Sequence, residues 1–292
     1  MEPYKAGTNG FLFHFDESNS PFEQATYIYV ILAEEKIFIC DTHVGPDSMD
    51  AVKEFLGPFF NGRDILVFNT HYDWDHVWGN CSFPEAVIIA HKKCRELLSC
   101  DIVWEEMLTN NRQYFHGEVE RKLPNLTFEK ELTFIDDGVT FFHSPGHSPD
   151  SSSCFHQKDG VLYVGDNVEY PIPYFSWHHL DEYERSLQTY KDMQPKILVT
   201  GHSGIVGMEL LEENLKYVSQ MAAGEEIDIS DAEKAPIHAF NLKSLLCSQY
   251  EEKARKALGT KFELKAFLDV QRENFSEDDE KIKIAFEHFI LS

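Results

Sequence analysis

No apolar stretch in the 292-residue sequence approaches the roughly 18 residues that a membrane-spanning helix requires. The opening segment, MEPYKAGTNGFLFHF, also lacks the basic stretch and apolar core of a secretion signal. We therefore expect a cytoplasmic protein that has no membrane partner.

The chain is also poor in positive charge, with 26 lysines and arginines against 50 aspartates and glutamates. The formal net charge of −24 repels the phosphate backbone of nucleic acids. No segment concentrates lysine and arginine into a basic strip that would offset this repulsion. We therefore expect a small-molecule substrate and no nucleic-acid partner.

The six cysteines form no CxxC pair, which disfavours a cysteine-based metal or redox motif. In the expected cytoplasmic setting they are interpreted as reduced thiols. Hydrophobic residues make up 42% of the chain, enough to fill the core of one large domain with an appendage.

Strand and helix signals alternate through the first two-thirds of the chain. The aromatic and β-branched segments TYIYVILA, KIFICDT and DILVFNT predict strands. The segments PDSMDAVKEFL and HHLDEYERSLQTYKDM carry apolar residues at helical intervals and predict helices. The alternation indicates a mixed α/β domain.

After Gly207 the strand signals nearly vanish. Apolar residues then recur at the spacing of one helix face, at Leu211, Leu215, Val218 and Ala222. Two more helical stretches are predicted near residues 241–258 and 276–290. We therefore predict an α/β domain over residues 1–206 and a helical extension over residues 207–292.

Four side chains that can bind metal ions crowd into NTHYDWDHVWGN, directly after a predicted strand: His71, Asp73, Asp75 and His76. Four other islands show the same order of an apolar strand, a potential ligand and small residues. They are FICDT with Asp41, FFHSPGHSPDS with His147, LYVGDN with Asp166 and LVTGHSG with His202. Loops at strand ends can aim such side chains into one common site.

Together these five motifs resemble the metallo-β-lactamase superfamily, over residues 10–205. The leading HxHxDH motif of that family reads here as His71-Tyr72-Asp73-Trp74-Asp75-His76. The resemblance implies an α/β fold, a four-layer αββα sandwich with a helical C-terminal extension. The extension resembles in layout the helices that cover the pocket of glyoxalase II, and it could equally be the surface of a homodimer.

The same resemblance implies two divalent metal ions in each chain. One ion is assigned to His71, Asp73 and His147. The other ion is assigned to Asp75, His76 and His202. Asp166 is expected to bridge the two ions, and Asp41 to brace the ligands without binding metal itself.

Asp73 stands where the family has its second histidine. One interpretation is that its carboxylate binds metal, as does the glutamate found at this point in the flavodiiron branch. The other is that the first site is inactive and Asp73 only hydrogen-bonds within its turn. The presence of every other family ligand favours a working site.

Charge counting indicates what the aspartate changes. Asp73, Asp75 and Asp166 offset three of the four positive charges of two divalent ions. A carboxylate in place of histidine should raise the pKa of bound water and favour oxygen-loving ions. Zinc, iron and manganese therefore all stay open as the physiological metal.

The resemblance further implies a hydrolase in which a metal-bridging hydroxide attacks a small ester, thioester or lactone. Asp75 is the expected catalytic residue that orients the water and takes its proton. Aromatic residues beside the ligands are predicted to line the substrate pocket: Tyr72, Trp74, Tyr170, Tyr174, Phe175 and Trp177. The alternatives are a non-haem di-iron redox or oxygen-binding protein, suggested by the acidic residue at position 73, and a catalytically silent binding protein.

Overall fold

Two β-sheets face each other at the centre of the chain in a computed structural model, which describes residues 2–16, 24–227 and 229–291. The first sheet contains, in order, β1 (Tyr4–Lys5), β2 (Gly10–Asp16), β3 (Ala25–Leu32), β4 (Lys36–Cys40), β5 (Asp64–Phe68), β6 (Val87–His91) and β7 (Leu126–Phe128). The strands β1 to β4 are antiparallel to their neighbours, whereas β4 to β7 run parallel.

The second sheet contains β8 (Glu131–Phe134), β9 (Val139–His143), β10 (Ser152–His156), β11 (Val161–Tyr163), β12 (Ile197–Thr200) and β13 (Gly204–Val206). Its spatial order is β13-β12-β11-β10-β9-β8. Only β11 and β12 are parallel in this sheet, so their carboxyl ends lie at the same edge.

The alternation of side chains along β4 shows why both faces of the first sheet are covered. Phe38 and Cys40 point into the core between the sheets, and both are fully buried. Ile37 and Ile39 point to the opposite face, where they join a second apolar cluster. A strand that is apolar on both faces must therefore lie between two layers.

Helices flank the two sheets, and further helices follow them in the C-terminal part of the chain. They are α1 (Met49–Leu56), α2 (Trp74–Val77), α3 (Lys92–Ser99), α4 (Asp101–Asn111), α5 (Leu180–Met193), α6 (Met208–Ala222), α7 (Lys234–Leu258), α8 (Leu264–Asn274) and α9 (Asp279–Leu291). The apolar side of α1 packs on the first sheet, and α5 packs on the second. The expected four-layer sandwich with a helical C-terminal region is confirmed.

The helices after residue 206 belong to two different clusters. Leu211 and Val218 of α6 share a cluster with α5 and the second sheet. The helices α7, α8 and α9 enclose a smaller core around Phe267 and Phe286. The domain boundary near residue 206 stays a prediction, and α8 has no counterpart among the predicted elements. Within the described residues, none of the helices is both long and apolar enough to cross a membrane.

A first prediction concerns the core between the sheets, where Phe141 is fully buried and stacks on Phe68 with ring centroids 4.2 Å apart. Replacing it by alanine removes these contacts and leaves a cavity, so Phe141→Ala should lower the free energy of unfolding by about 3–5 kcal/mol. The control Ile135→Ala, at a side chain that is 84% exposed, should change it by less than about 0.5 kcal/mol. Chemical denaturation measures both, and equal effects would contradict the assigned core.

Candidate metal centre

The predicted ligands meet where several strands end. The segment containing His71 and His76 follows β5, His147 lies between β9 and β10, Asp166 follows β11 and His202 follows β12. Because the paired strands β4 and β5 are parallel, as are β11 and β12, the loops that follow them open at a common edge. The structure brings all seven side chains to this edge: His71, Asp73, Asp75, His76, His147, Asp166 and His202.

The first group consists of His71, Asp73 and His147. The Oδ2 atom of Asp73 lies 3.4 Å from Nε2 of His71 and 3.1 Å from Nε2 of His147. One ligand atom from each of the three side chains falls within 4.8 Å of the others. This is the set that the resemblance assigns to the first ion.

The second group consists of Asp75, His76 and His202. The Oδ2 atom of Asp75 lies 3.7 Å from Nε2 of His76 and 3.2 Å from Nε2 of His202. Their ligand atoms also lie within 4.8 Å of one another. The short helix α2 makes this possible, since it places Asp75 and His76 on consecutive buried positions.

Asp166 lies between the two groups. Its Oδ2 atom is 3.6 Å from Nε2 of His71, and 3.2 Å from Nε2 of both His76 and His202. A side chain at position 201 would collide with this carboxylate and press on His76, so only glycine fits there. Asp166 therefore borders ligand atoms of both groups.

Buried polar atoms provide a test of whether a cation fits. Within the described part of the chain, Nε2 of His71, Nε2 of His76 and Oδ1 of Asp166 are buried and make no hydrogen bond. Such atoms cost free energy unless a partner is present. Imidazole nitrogens and carboxylate oxygens are the ligands that zinc, iron and manganese accept. The residues present therefore fit a pair of divalent ions.

Hydrogen bonds on the far side of the imidazoles set their orientation. Nδ1 of His147 donates to the carbonyl oxygen of Tyr174 at 3.1 Å, and Nδ1 of His202 donates to that of Ala25 at 2.8 Å. A carbonyl oxygen can only accept, so Nδ1 carries the proton in each ring. Nε2 of each ring faces the centre, and its lone pair becomes available to a metal ion once the proton on it is displaced.

Asp41 braces two ligand segments at once. Its Oδ2 atom accepts hydrogen bonds from His76 Nδ1 at 2.9 Å, from Thr70 Oγ1 at 2.8 Å and from Tyr163 OH at 2.9 Å. Because the Thr70 hydroxyl proton is committed to Asp41, Thr70 Oγ1 accepts from Nδ1 of His71 at 3.0 Å. The fully buried Asp41 carboxylate thus orients His71 and His76 without entering the centre.

The acidic and imidazole groups stabilise one another's charged forms. Burial alone raises the pKa of Asp73, but the hydrogen bond from His147 and the nearby imidazole of His71 outweigh it and hold that pKa far below its ordinary value. Burial lowers the pKa of His147, but the hydrogen bond to Asp73 raises it to about 9. Because metal ions bind neutral imidazole, ion binding displaces these protons, and affinity should fall as the pH falls.

Comparison with known proteins agrees with this geometry. The sequence-family model of the metallo-β-lactamase superfamily matches residues 23–202, which is more than half of the chain. The chain belongs to the metallo-β-lactamase superfamily. Members of this superfamily are mostly metal-dependent hydrolases, and they bind divalent metals, typically zinc.

Solved structures show the same fold at low sequence identity. The DIM-1 metallo-β-lactamase is 19% identical with a TM-score of 0.59, and the match covers 76% of this chain and 99% of that one. The enzyme from Pontibacter korlensis is 14% identical with a TM-score of 0.57, covering 75% and 98%. The enzyme from Hirschia baltica is 13% identical with a TM-score of 0.55, covering 74% and 97%.

Asp73 departs from the superfamily's histidine, and its location bears on the two interpretations of this residue. It immediately precedes α2 with an extended backbone, but its side chain makes no capping hydrogen bond to that helix. The carboxylate lies against His71 and His147 instead. This location favours a ligand over a residue that only stabilises its turn.

The predicted pocket residues differ in their exposure and in the cavities that they line. Tyr72 lines two cavities of about 730 and 300 Å³, and Trp177 lines the smaller. Tyr174 is partly buried, with its ring 5.4 Å from that of Phe240. Tyr72 lies between the ligands His71 and Asp73 in the chain, but none of the seven ligands lines either cavity.

The remaining aromatic residues lie elsewhere. Trp74 stacks on Tyr114 with ring centroids 4.9 Å apart. Tyr170 is 65% exposed and donates its hydroxyl hydrogen to Glu233 at 2.9 Å. Phe175 is fully buried in the core beneath α5 and α6. Neither Trp74 nor Tyr170 lines the two cavities at Tyr72, and Phe175 has a structural role.

A second cluster of potential ligands ties the loop before α5 to α7. Nε2 of His178 and Nε2 of His179 lie 2.8 and 3.4 Å from Oε2 of Glu252. The other oxygen of Glu252 pairs with Lys256, and Ser248 contacts Nδ1 of His178 at 2.8 Å. With its carboxylate already paired to a lysine, we interpret this cluster as a structural tie.

Sequence reasoning missed two buried asparagines that hold the loop between Asp166 and α5. Asn241 of α7 accepts from the backbone N–H of Phe175 at 2.9 Å and donates to the carbonyl of Pro173 at 2.8 Å. Asn214 of α6 accepts from the N–H of Glu169 at 2.9 Å. Asn214 shares a helix face with apolar neighbours, which is the only sequence signal for its burial.

The role of Asn241 leads to a prediction. Asn241→Leu keeps the size but leaves the Phe175 N–H and the Pro173 carbonyl unpaired, so the free energy of unfolding should fall by about 1–3 kcal/mol. The same loop carries the Tyr174 carbonyl that orients His147, so metal affinity should fall about tenfold.

Denaturation and metal titration measure the two effects of this substitution. The control Gln249→Leu changes an exposed side chain of the same helix and should leave both quantities near wild type. Wild-type metal affinity in Asn241→Leu would show that α7 does not support the centre.

Proposed function

We propose that the chain is a dinuclear metal-dependent hydrolase that acts on a small ester, thioester or lactone. The observation that carries this proposal is the meeting of His71, Asp73 and His147 with Asp75, His76 and His202 around Asp166. When bound, two divalent ions polarise a carbonyl oxygen and lower the pKa of water.

Asp75 is the proposed catalytic residue. Burial raises its pKa, but the charge of His76 and the hydrogen bond from His202 outweigh this and keep the pKa below its ordinary value. The carboxylate therefore stays ionised at neutral pH. In this form it can accept a hydrogen bond from the attacking water. One of its oxygens would then receive the proton of that water.

The cavity beside Tyr72 is the proposed substrate pocket. Its volume of about 730 Å³ lies in the range of small-molecule sites. Glu106 in its wall is paired with Lys265 at 3.2 Å and with Arg272 at 2.8 Å. The apolar part of the wall is formed by Phe240, Leu268 and Phe275. Paired charges and an apolar wall suit an uncharged organic group better than a polyanion.

A di-iron redox or oxygen-binding protein is the second candidate. The carboxylate of Asp73 supports it, because an additional oxygen ligand favours iron over zinc in the first group. This function would require a separate electron donor. Two observations distinguish the candidates: which metal supports activity, and whether the metal centre reacts with oxygen.

The test compares wild type with Asp73→His on a panel of activated esters, thioesters, lactones and phosphodiesters, after chelation and reloading with zinc, manganese or iron(II). Wild type should hydrolyse an ester-like substrate only when reloaded. The substitution removes one negative charge, so the pH at which activity rises should shift downwards and zinc should be favoured. The control Asp192→His changes an exposed residue of α5 and should leave the profile unchanged.

Two outcomes would count against hydrolysis. Fully metal-loaded wild type that turns over no member of the panel would support a silent binding protein. A coloured iron centre that responds to oxygen and remains inactive on the panel would support the redox candidate.

A further inference from the structure

Glu169 is a buried carboxylate beside the metal centre that the sequence motifs do not include. It lies in the loop after β11, three residues beyond Asp166, and is only 6% exposed. One of its carboxylate oxygens lies within 4.8 Å of ligand atoms of both Asp166 and His202. Glu169 thus borders the second group of ligands.

Two elements hold Glu169 in this position. Its Oε2 atom accepts the backbone N–H of Tyr174 at 3.2 Å, and its own N–H donates to Asn214 of α6 at 2.9 Å. The residue is therefore fixed at both its backbone and its carboxylate. The backbone carbonyl of Tyr174 also accepts a hydrogen bond from His147, so the backbone of one residue supports both Glu169 and that ligand.

The burial of this carboxylate requires compensation. Burial and the neighbouring charge of Asp166 together raise the pKa of Glu169 to about 7, although the charges of His202 and His147 oppose this rise. A second carboxylate so close to Asp166 is unfavourable unless a cation lies between them. A divalent ion in the second group would provide that cation.

Building on the proposed two-metal centre, we propose that Glu169 is an additional ligand of the ion held by Asp75, His76 and His202. Together with Asp166, that ion would then have two nitrogen and three oxygen ligands from the chain. Such an oxygen-rich set suits manganese or iron(II) better than the tetrahedral surroundings that zinc prefers.

Charge balance also supports Glu169 as a metal ligand. Asp73, Asp75, Asp166 and Glu169 together carry four negative charges, which equal the four positive charges of two divalent ions. With Glu169 counted, the chain alone neutralises the pair. Asp73 in place of histidine thus makes the first site prefer harder ions. Glu169 has the same effect on the second site.

The test measures metal binding and needs no substrate. Metal-free wild type, Glu169→Gln and Glu169→Asp are titrated with Mn²⁺, and free Mn²⁺ is followed by electron paramagnetic resonance. Zn²⁺ binding is then measured by competition with a chromophoric chelator. Glu169→Gln keeps an oxygen for the Tyr174 N–H, and thermal unfolding of each metal-free variant verifies the fold.

We expect Glu169→Gln to weaken binding of one Mn²⁺ ion about tenfold or more, with a smaller loss for Zn²⁺. Glu169→Asp keeps the charge but shortens the side chain, so it should also weaken the binding of Mn²⁺. The control Glu105→Gln removes the same charge from an exposed position of α4 and should bind like wild type.

Wild-type Mn²⁺ affinity in Glu169→Gln or in Glu169→Asp would overturn the assignment, as would an equal loss in Glu105→Gln. Such results, in a chain whose wild type binds two ions, would leave the hydrolase proposal intact. Wild type that binds no ion at all would instead contradict the metal centre, and with it both proposals.

Discussion

Carboxylates and imidazoles buried side by side at one edge of two sheets are the constraint on which the rest of the structure depends. Removing such groups from water is costly, and each is stabilised only by an opposite charge nearby. His147 against Asp73, and His202 against Asp75, show this pairing directly. The surrounding scaffold must keep these groups in place, and the same geometry is the one that divalent ions require.

The scaffold supplies that rigidity from both ends of the chain. Asp41 at the end of β4 fixes the segment after β5 through Thr70 and His76. Asn214 and Asn241, from helices beyond residue 206, fix the loop that follows Asp166. The C-terminal helices therefore contribute to the centre as supports, in addition to forming one wall of the cavity at Tyr72.

Much of the fold and centre was predictable because metal ligands leave a local signature, a strand followed by a ligand and small residues. The signature identified Asp166 and His202 although 35 positions separate them. It could not identify Glu169, which follows no strand directly and depends on contacts from α6. Helix α4 was not predicted because its apolar residues do not form one stripe, and α8 because its only fully buried side chain is Phe267.

A direct count of bound ions by native mass spectrometry tests the central claim of a two-metal centre. The chain would be measured as purified, after chelation, and after reloading with zinc, manganese or iron(II). The account predicts a mass increase of two ions for each chain on reloading, reversed by the chelator. A folded chain that takes up no ion at saturating metal, or only one, would contradict it.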